Sequence, residues 1–234
     1  MLGQSHAVSG ALVYVVAAHF LPERVLGAAP QAGAVLLGAM LCAGAALLPD
    51  ADHHDATPAH LFGPLTRGLC RLVGRLSGGH RHATHSLLFV ALITVGTWFG
   101  VDRLGARFTV PLVFVLLALA ARALHLHPPG KGVTAWITSV GLAGVGTAAA
   151  VAWCEGLGGL LPGAVGLGAL AHLLGDCLTR QGAPLLWPYG RRFEIVLIRR
   201  TGSKAETRVL VPLLTVATFA GLWFTTFAPL FGTG

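Results

Sequence analysis

Residues 159–177 read GLLPGAVGLGALAHLLGDC, an apolar run of mainly glycine, alanine and leucine that ends in a histidine and an aspartate. The run is long enough to cross the hydrocarbon core of a bilayer, for which a helix needs about 20 apolar residues. His172 and Asp176 are four residues apart, so they project from one face of that helix near its end. The segment therefore predicts a membrane-spanning helix that presents an imidazole and a carboxylate, a pair suited to one metal ion, at the membrane surface.

The composition of the whole chain agrees with a membrane protein. Of its 234 residues, 54% are hydrophobic and 11% are charged, and the mean hydropathy is +0.73. The 32 glycines allow transmembrane helices to approach one another closely. We therefore predict an all-α fold, a polytopic transmembrane helical bundle that forms a single domain over residues 1–234. A soluble protein with an alanine-rich core is disfavoured, because several apolar runs reach spanning length.

Hydropathy along the chain predicts about seven spans, of which the first is the shortest. They cover residues 7–21, 32–49, 84–100, 108–125, 133–153, 159–177 and 208–228. The first stretch is interpreted as a retained helix, because residues 1–6 lack the lysine or arginine of a secretory signal. A small β-hairpin of 193–199 with 207–211 is also expected, because both segments favour extended structure and a Thr-Gly-Ser turn lies between them.

The basic residues predict the orientation of the bundle. Segments 50–83, 126–132 and 178–207 share one face with the N-terminus if there are seven spans. Only Arg24, Arg103 and Arg107 of the 16 lysines and arginines belong to the opposite face. The positive-inside rule therefore places the N-terminus and the basic face in the cytoplasm.

Four segments that contain histidine or aspartate lie at this predicted cytoplasmic face. They are HAVSG at 6–10, LLPDAD at 47–52, HRHATHS at 80–86 and HLLGDCLTRQG at 172–182. Charged and imidazole side chains are costly inside a bilayer, so their repeated occurrence at the boundaries of apolar runs predicts that they meet in one site. A set of unrelated helix-end residues is the plain alternative for each segment alone.

Individual residues of these segments suggest individual roles. Asp50 and Asp52 are alternate residues of a PDAD segment, and an extended backbone would point both carboxylates to one side. His85 is expected to begin a helix that faces the site, and capping of that helix is the plain explanation for Thr84. The planar guanidinium of Arg81 suits a substrate phosphate or carboxylate. His6 is followed four residues later by Gly10, which leaves room for another element to pack closely.

Segment 61–77 predicts a short cytoplasmic amphipathic helix. Arg67, Arg71 and Arg75 recur at four-residue spacing, and leucines supply an apolar side. Such a helix is typical of segments that lie on an anionic leaflet. A basic loop that only sets the membrane topology is the alternative.

The four segments carry a resemblance to a known family. In order, MLGQSHAVSG, LLPDADH, HRHATHSLL and HLLGDCLTRQGAPLLWPYGRRFEIVLIRRTGSKAE resemble the motifs of the LexA-binding, inner-membrane-associated metal-dependent hydrolase family. The pattern HxxxDxxTxxGxxxLxP from His172 to Pro188 is the most specific part. The resemblance implies a multi-pass protein of the bacterial inner membrane with a hydrolase-like metal site. It also implies a distant kinship with the zinc-dependent phospholipase C and P1 nuclease group, and with it the metal ligands His6, Asp50, Asp52, His80, His85, His172 and Asp176.

The resulting functional prediction is a membrane-bound metal-dependent hydrolase. It is expected to act on a phosphoester or phospholipid-like substrate at the cytoplasmic membrane face. One to three divalent ions, zinc foremost with manganese or iron as alternatives, would lower the pKa of a bound water. Asp50 or Asp52 would orient that water, and Arg81 would stabilise developing negative charge. Membrane lipids, including anionic head groups, are the expected partners, and no direct contact with nucleic acid is predicted.

Other classes of protein fit the sequence less well. The HExxH motif of zinc metalloproteases is absent, and so are the PSGH and SRx5H contexts of type-2 phosphatidic acid phosphatases. The remaining alternative is a non-catalytic membrane binding or scaffold protein with a structural metal site. The other histidines of the basic face are left outside the predicted site; they are His53, His54, His60, His125 and His127.

Overall fold

The computed structural model describes residues 1–26, 31–128 and 132–227, and over these ranges the fold is helical with no sheet. The α-helices are α1 Gly3–Phe20, α2 Glu23–Leu26, α3 Ala32–Ala45, α4 Pro64–Leu76, α5 Leu87–Leu104, α6 Ala106–Ala123, α7 Val133–Trp153, α8 Leu157–Cys177 and α9 Val211–Leu222. Short 3-10 turns lie at Pro49–Asp52, Thr57–His60 and Ala83–His85, and π-helical turns lie at Glu206–Leu210 and Trp223–Phe227. The predicted all-α helical bundle is confirmed.

Six helical stretches of the described residues are long and apolar enough to span a membrane, against about seven predicted. They are Ala32–Asp52, Leu87–Leu104, Ala106–Ala123, Val133–Trp153, Leu157–Cys177 and Glu206–Thr226. Residue 228, the predicted end of the last span, lies outside the described residues. The helix of the first predicted span, α1, is not among the six. Its ends carry polar residues such as Gln4 and His19, and it packs against α3, α8 and α9, with ten of its 18 residues buried.

Two glycines bring α1 and α8 against the central helix α3. A Cβ atom at Gly10 of α1 would lie 2.8 Å from the carbonyl oxygen of Cys42, and one at Gly168 of α8 would lie 2.5 Å from the same oxygen. A larger residue would push either helix away, so the close packing expected at Gly10 is confirmed. His6 lies one turn before Gly10 and His172 one turn after Gly168, so both histidines reach the same end of α3.

The hairpin predicted from 193–199 with 207–211 is wrong. Residues 206–210 form a π-helical turn that runs directly into α9. Segment 193–199 makes isolated bridges instead, from Phe193 to Ala183 and from Ile198 to Thr179. Extended structure depends on a neighbouring strand more than on intrinsic preference, and the apolar run from 208 onwards forms a spanning helix instead.

The predicted amphipathic helix is present as α4. It begins at Gly63, whose φ of 62° suits glycine, followed by Pro64 in the first turn. A Cβ atom at Gly74 would lie 2.5 Å from the backbone oxygen of Asp52. α4 therefore rests directly on the PDAD turn that follows α3.

Candidate metal centre

The four polar segments meet at one end of the bundle. His6 comes from the first turns of α1, the PDAD turn follows α3, the HRHATHS loop precedes α5, and His172 and Asp176 lie in the last turns of α8. The residues that meet are His6, Asp50, Asp52, His80, Arg81, His85, His172 and Asp176. His6, His85, His172 and Asp176 are completely buried. The side chains of Asp50 and His80 are 17% and 37% exposed, so the cluster is accessible from outside the protein at these two residues.

The most compact set of donor atoms consists of two imidazole nitrogens and two carboxylate oxygens. His85 Nε2 and His172 Nε2 are 3.2 Å apart. Each lies 3.7 Å from Asp50 Oδ1. Asp176 Oδ2 lies 3.4 Å from His85 Nε2 and 3.6 Å from His172 Nε2. Tetrahedral coordination with bonds of about 2.0 to 2.1 Å separates neighbouring ligand atoms by about 3.3 to 3.4 Å. The five separations above, 3.2 to 3.7 Å, are close to that value.

Six residues of the cluster, which include these four, also form two groups of three. The inner group contains His6, His172 and Asp176, all buried, and the outer group contains the buried His85 together with Asp50 and His80 at the accessible edge. Within each group, one ligand atom from each residue lies within 4.8 Å of the others. Three protein ligands leave a coordination position open, as in catalytic zinc sites, whereas four close the site. The geometry is therefore compatible with one enclosed ion or with one ion in each group.

Buried polar atoms without hydrogen bonds concentrate in the inner group. They include both ring nitrogens of His6 and Asp176 Oδ2. His6 Nε2 lies 3.4 Å from Asp176 Oδ1 without forming a hydrogen bond, and its ring stacks on that of His172 with 3.7 Å between centroids. A buried polar atom without a partner is costly. A cation bound by these atoms would remove that cost, so the inner group fits a metal ion.

Hydrogen bonds orient His85 and His172, the two histidines of the compact set of donor atoms. His172 Nδ1 lies 2.7 Å from the carbonyl oxygen of Ala46, so Nδ1 donates and the lone pair is on Nε2. His85 Nδ1 lies 3.1 Å from Thr84 Oγ1 and 3.4 Å from Asp52 Oδ2. Metal-binding imidazoles are commonly held by a carbonyl or carboxylate on the nitrogen that does not bind the metal. Both rings therefore present Nε2 to the centre of the cluster.

Asp52 organises the loop around the cluster. Its oxygens accept hydrogen bonds from Thr84 Oγ1 at 2.6 Å and from the backbone nitrogen of Arg81 at 3.0 Å, and Oδ1 lies 2.8 Å from His80 Nδ1. Neither the inner nor the outer group includes Asp52. Its role as a metal ligand stays a prediction, and its contacts indicate that it orients His80 and His85.

Two local predictions about these segments are wrong. The PDAD segment is a 3-10 turn and not extended, so Asp50 and Asp52 reach different partners. Ser86, not Thr84, caps α5, since Ser86 Oγ accepts a hydrogen bond from the backbone nitrogen of Phe89 at 3.2 Å. Thr84 lies inside the preceding 3-10 turn, where its hydroxyl is donated to Asp52.

Arg81 is held by acceptors of the protein itself. Its side chain donates to Asp176 Oδ1 at 2.6 Å, to Thr179 Oγ1 at 3.2 Å and to the carbonyl oxygen of Gly182 at 3.3 Å. The residue is 7% exposed. The guanidinium therefore neutralises one oxygen of Asp176 and leaves the other oxygen towards the histidines. The contact of Arg81 with a substrate stays a prediction.

Electrostatics favour a protonated His85 when no cation is bound. Burial opposes the charged ring, but the carboxylates of Asp50 and Asp52 outweigh burial and raise the pKa of His85 to about 9. A metal ion that binds at Nε2 must therefore displace a proton from this ring.

The five histidines that were left outside the predicted site are not members of the inner or outer group. His53 and His54 form an exposed group with Asp55, and the His53 ring lies edge-on to that of His80 with 4.7 Å between centroids. His60 Nδ1 lies 3.1 Å from a guanidinium nitrogen of Arg67. His125 and His127 lie beside each other after α6, with 5.9 Å between ring centroids.

Glu206, which the sequence did not identify as a site residue, stabilises the position of α1 beside the cluster. Glu206 is completely buried, and its Oε1 accepts hydrogen bonds from the backbone nitrogen of Leu2 at 2.6 Å and from Ser5 Oγ at 2.7 Å. Its Oε2 accepts one from the backbone nitrogen of Gly202 at 2.7 Å. Glu206 thus ties the first turn of α1, and with it His6, to the start of the last spanning segment. An isolated carboxylate at the start of an apolar run was the available signal.

Comparisons with known proteins agree with the membrane architecture. Two curated relatives, each described as inner membrane protein YdjM, come from Escherichia coli (strain K12) and Shigella flexneri and are 28% identical over 168 residues. The match covers 71% of this chain and 58% of each relative, so the chain spans less than two thirds of their length. No solved structure matches the chain. The profile of the family described as YdjM inner membrane protein matches residues 1–231, and the chain therefore belongs to this family of inner membrane proteins.

Proposed function

We propose that this chain is a membrane-bound metal-dependent hydrolase that acts on a phosphoester, in a phospholipid-like substrate, at the cytoplasmic face of the inner membrane. The observation that carries the proposal is the adjacency of the two three-residue groups, one sealed in the bundle and the other open at Asp50 and His80. Membership of an inner membrane family supports the location. The resemblance of the four motifs to a hydrolase family supports the class of reaction.

The donor set favours zinc. His6, His172 and Asp176 would hold an inner ion, and Asp50, His80 and His85 would hold an outer one. Mixed imidazole and carboxylate ligands suit zinc, and manganese and iron accept the same donors. When bound, such cations lower the pKa of a water molecule and polarise a phosphoryl oxygen.

Asp50 is the residue to which we assign proton transfer. It is the carboxylate of the cluster that keeps exposed area, whereas the side chains of Asp52 and Asp176 are fully buried. Asp50 Oδ1 faces the ring nitrogens of His85 and His172, so Oδ2 is the atom that accepts the proton of the attacking water. Asp52 supports this arrangement because it contacts Nδ1 of His80 and of His85 and so holds both rings in position.

Arg81 contributes charge balance in this proposal. The cluster combines three carboxylates with three buried imidazoles, and the bond of Arg81 to Asp176 neutralises one of those carboxylates. Stabilisation of the negative charge that develops on the substrate is the second role proposed for Arg81, and it requires the Asp176 contact to loosen when substrate binds.

A non-catalytic scaffold protein with a structural metal is the second candidate. It is favoured by the compact set of His85 Nε2, His172 Nε2, Asp50 Oδ1 and Asp176 Oδ2, whose spacing matches a closed tetrahedral site. An ion enclosed by these four ligands has no position for a reacting water. The number of ions in each chain therefore distinguishes the two candidates.

The experiment is metal analysis combined with a substrate panel, on protein purified in detergent and reconstituted in lipid. For the hydrolase, we expect one ion in each three-residue group, and turnover of a phosphodiester or phospholipid that chelation abolishes and zinc restores. A single ion without turnover would support the scaffold. The absence of stoichiometric metal, or unchanged occupancy in the double variant His172→Ala and Asp176→Ala, would refute both candidates. His54→Ala, at the exposed periphery, is the matched control and should retain full occupancy.

A further inference from the structure

The amphipathic helix α4 turns its apolar face away from the protein. Leu65, Leu69, Leu72 and Leu76 are 76%, 58%, 52% and 79% exposed. At 3.6 residues per turn, these four positions fall within an arc of about 60° around the helix. An exposed apolar stripe of this kind marks a surface that meets a membrane or another protein.

The opposite face of α4 is already used by the protein. Cys70 is 3% exposed, and Gly74 rests on the backbone oxygen of Asp52. At the first turn, Thr66 Oγ1 donates a hydrogen bond to the carbonyl oxygen of Ala59 at 2.9 Å. The helix is thus fixed to the bundle by its small and polar residues. The leucine stripe faces outward because the helix is held in that orientation.

Arginines flank the leucine stripe on one side. Arg71 and Arg75 are exposed, whereas Arg67 is half-buried against His60. A helix with leucines on one face and arginines along its border is typical of segments that lie flat on a membrane. The positive charge of such arginines is complementary to the phosphate groups of anionic lipids.

The position of α4 in the bundle matches the level of a membrane surface. α4 leans on the Pro49–Asp52 turn, which ends the span Ala32–Asp52. Just before α4, the backbone oxygen of Leu61 accepts a hydrogen bond at 2.6 Å from Nε1 of Trp136, in the first turn of the span Val133–Trp153. Tryptophan is enriched at the boundary between lipid and water, where its ring is in lipid and its N–H finds a polar partner. Two spans therefore put α4 at this boundary.

We propose that α4 lies in the lipid–water interface, with the leucine stripe among the acyl chains and with Arg71 and Arg75 on the phosphates of anionic phospholipids. Lipid is the occupant of the stripe because the bilayer that surrounds the spans is the apolar medium present at this depth. The contact between Gly74 and Asp52 then holds the PDAD turn at the level of the lipid head groups. The contact of α4 with lipid involves only the surface of the molecule, and it does not depend on whether the metal centre is catalytic.

The test measures the depth of α4 in the full chain reconstituted in liposomes. A nitroxide is attached to Leu72→Cys and, as the water-exposed control, to Asp55→Cys, whose native side chain is 66% exposed. Both variants also carry Cys154→Ser, because Cys154 is partly exposed and would react with the nitroxide reagent, whereas Cys42, Cys70 and Cys177 are buried. We expect the label at position 72 to collide readily with oxygen and to meet a nickel chelate several-fold less often than the control label does. Both labels replace exposed side chains, and monodisperse elution verifies the fold.

Three results would overturn the proposal. Equal nickel accessibility at the two positions would place the stripe in water. Shielding of position 72 from both oxygen and nickel would mean that a protein covers it. Dipolar broadening between labels would identify that protein as a second copy of the chain.

The arginines are tested separately with lipid composition. In the chain with Arg71 and Arg75 intact, added phosphatidylglycerol should draw the label at position 72 deeper than phosphatidylcholine alone does. The double variant Arg71→Gln and Arg75→Gln should lose this difference and retain a membrane-embedded label. A label depth that does not depend on anionic lipid in the unaltered chain would overturn the assignment of the arginines to lipid phosphates.

Discussion

The inner and outer groups of the candidate metal centre are built in different ways. The inner group is carried by the long helices α1 and α8, which glycines press against α3, and its residues are completely buried. The outer group is carried by turns, and Asp52 accepts a hydrogen bond from His80 and lies 3.4 Å from Nδ1 of His85. Its edge at Asp50 and His80 stays accessible. Helices fix positions accurately, whereas turns at a surface provide access. In the proposed hydrolase, the inner group would retain a cation and the outer group would contact the substrate.

The largest expected effect follows from removal of the inner carboxylate. Asp176→Ala deletes a member of the inner group and leaves the buried guanidinium of Arg81 without its charged partner. We expect loss of the inner ion and destabilisation by about 3 to 5 kcal/mol, as for other buried pairs that lose one partner. Metal content and thermal unfolding in detergent measure the two effects. Asp55→Ala removes an exposed carboxylate and should change neither; retention of the inner ion in Asp176→Ala would contradict the division into two groups.

A smaller effect on stability but a large effect on turnover is expected at the accessible edge. Asp50→Asn keeps the size of the side chain and one oxygen for the outer ion, and it removes the second oxygen, the acceptor assigned to the proton of water. Turnover of a phosphodiester should fall by about 10²- to 10⁴-fold, the usual contribution of a general base. The inner ion should remain, because its three residues are untouched. If the inner ion is lost along with turnover, the groups are not separable and the comparison fails.

The support of the outer group can be weakened without touching a member of either group. Asp52→Asn disturbs the contacts to His80, Thr84 and the backbone of Arg81. Metal affinity at the outer group should fall by about 10- to 100-fold, as observed when partners of ligating histidines are changed. Thr84→Val removes a single hydrogen bond to Asp52 and should cost less. Complete loss of the outer ion would contradict a supporting role and would indicate that Asp52 is itself a ligand, as the resemblance implied.

The smallest effect is expected from the residue that fastens α1. Glu206→Gln retains only one oxygen acceptor. If that oxygen accepts from Leu2 and Ser5, the amide nitrogen faces the backbone nitrogen of Gly202; if it accepts from Gly202, the bonds to α1 are lost. We expect destabilisation by about 1 kcal/mol, since one buried hydrogen bond is lost. Metal titration should show weaker binding at the inner group, which contains His6, and unchanged binding at the outer group. A change confined to the outer group would be inconsistent with the path from Glu206 through α1 to His6.

The sequence predicted the parts of this molecule that depend on local pattern. Apolar runs of spanning length predicted α3 and the helices from α5 to α9, and polar residues at their boundaries predicted the segments that meet. The division of labour between Asp50 and Asp52 was not predictable from spacing. In an extended chain these residues share a side. In a 3-10 helix, which has three residues per turn, two alternate residues differ by about 120° in direction.

Contacts between distant residues account for the rest of what the sequence did not predict. Arg81 is 95 residues from Asp176, and Ser5 is 201 residues from Glu206. Nothing in the local pattern of either segment identifies such a partner. The same applies to the hairpin, whose strands were proposed from composition although the second segment belongs to a spanning helix.

The bond between Glu206 and the first turn of α1 has a consequence for biosynthesis. His6 leaves the ribosome early, but the carboxylate that holds its helix is made only after the other two members of the inner group. In the proposed hydrolase, the inner group would therefore gain the support of Glu206 only when synthesis reaches the last spanning segment. A chain arrested before Glu206 would keep the glycine contacts of α1 and α8 with α3, but it would lack the hydrogen bonds that hold the first turn of α1, and with it His6, in place.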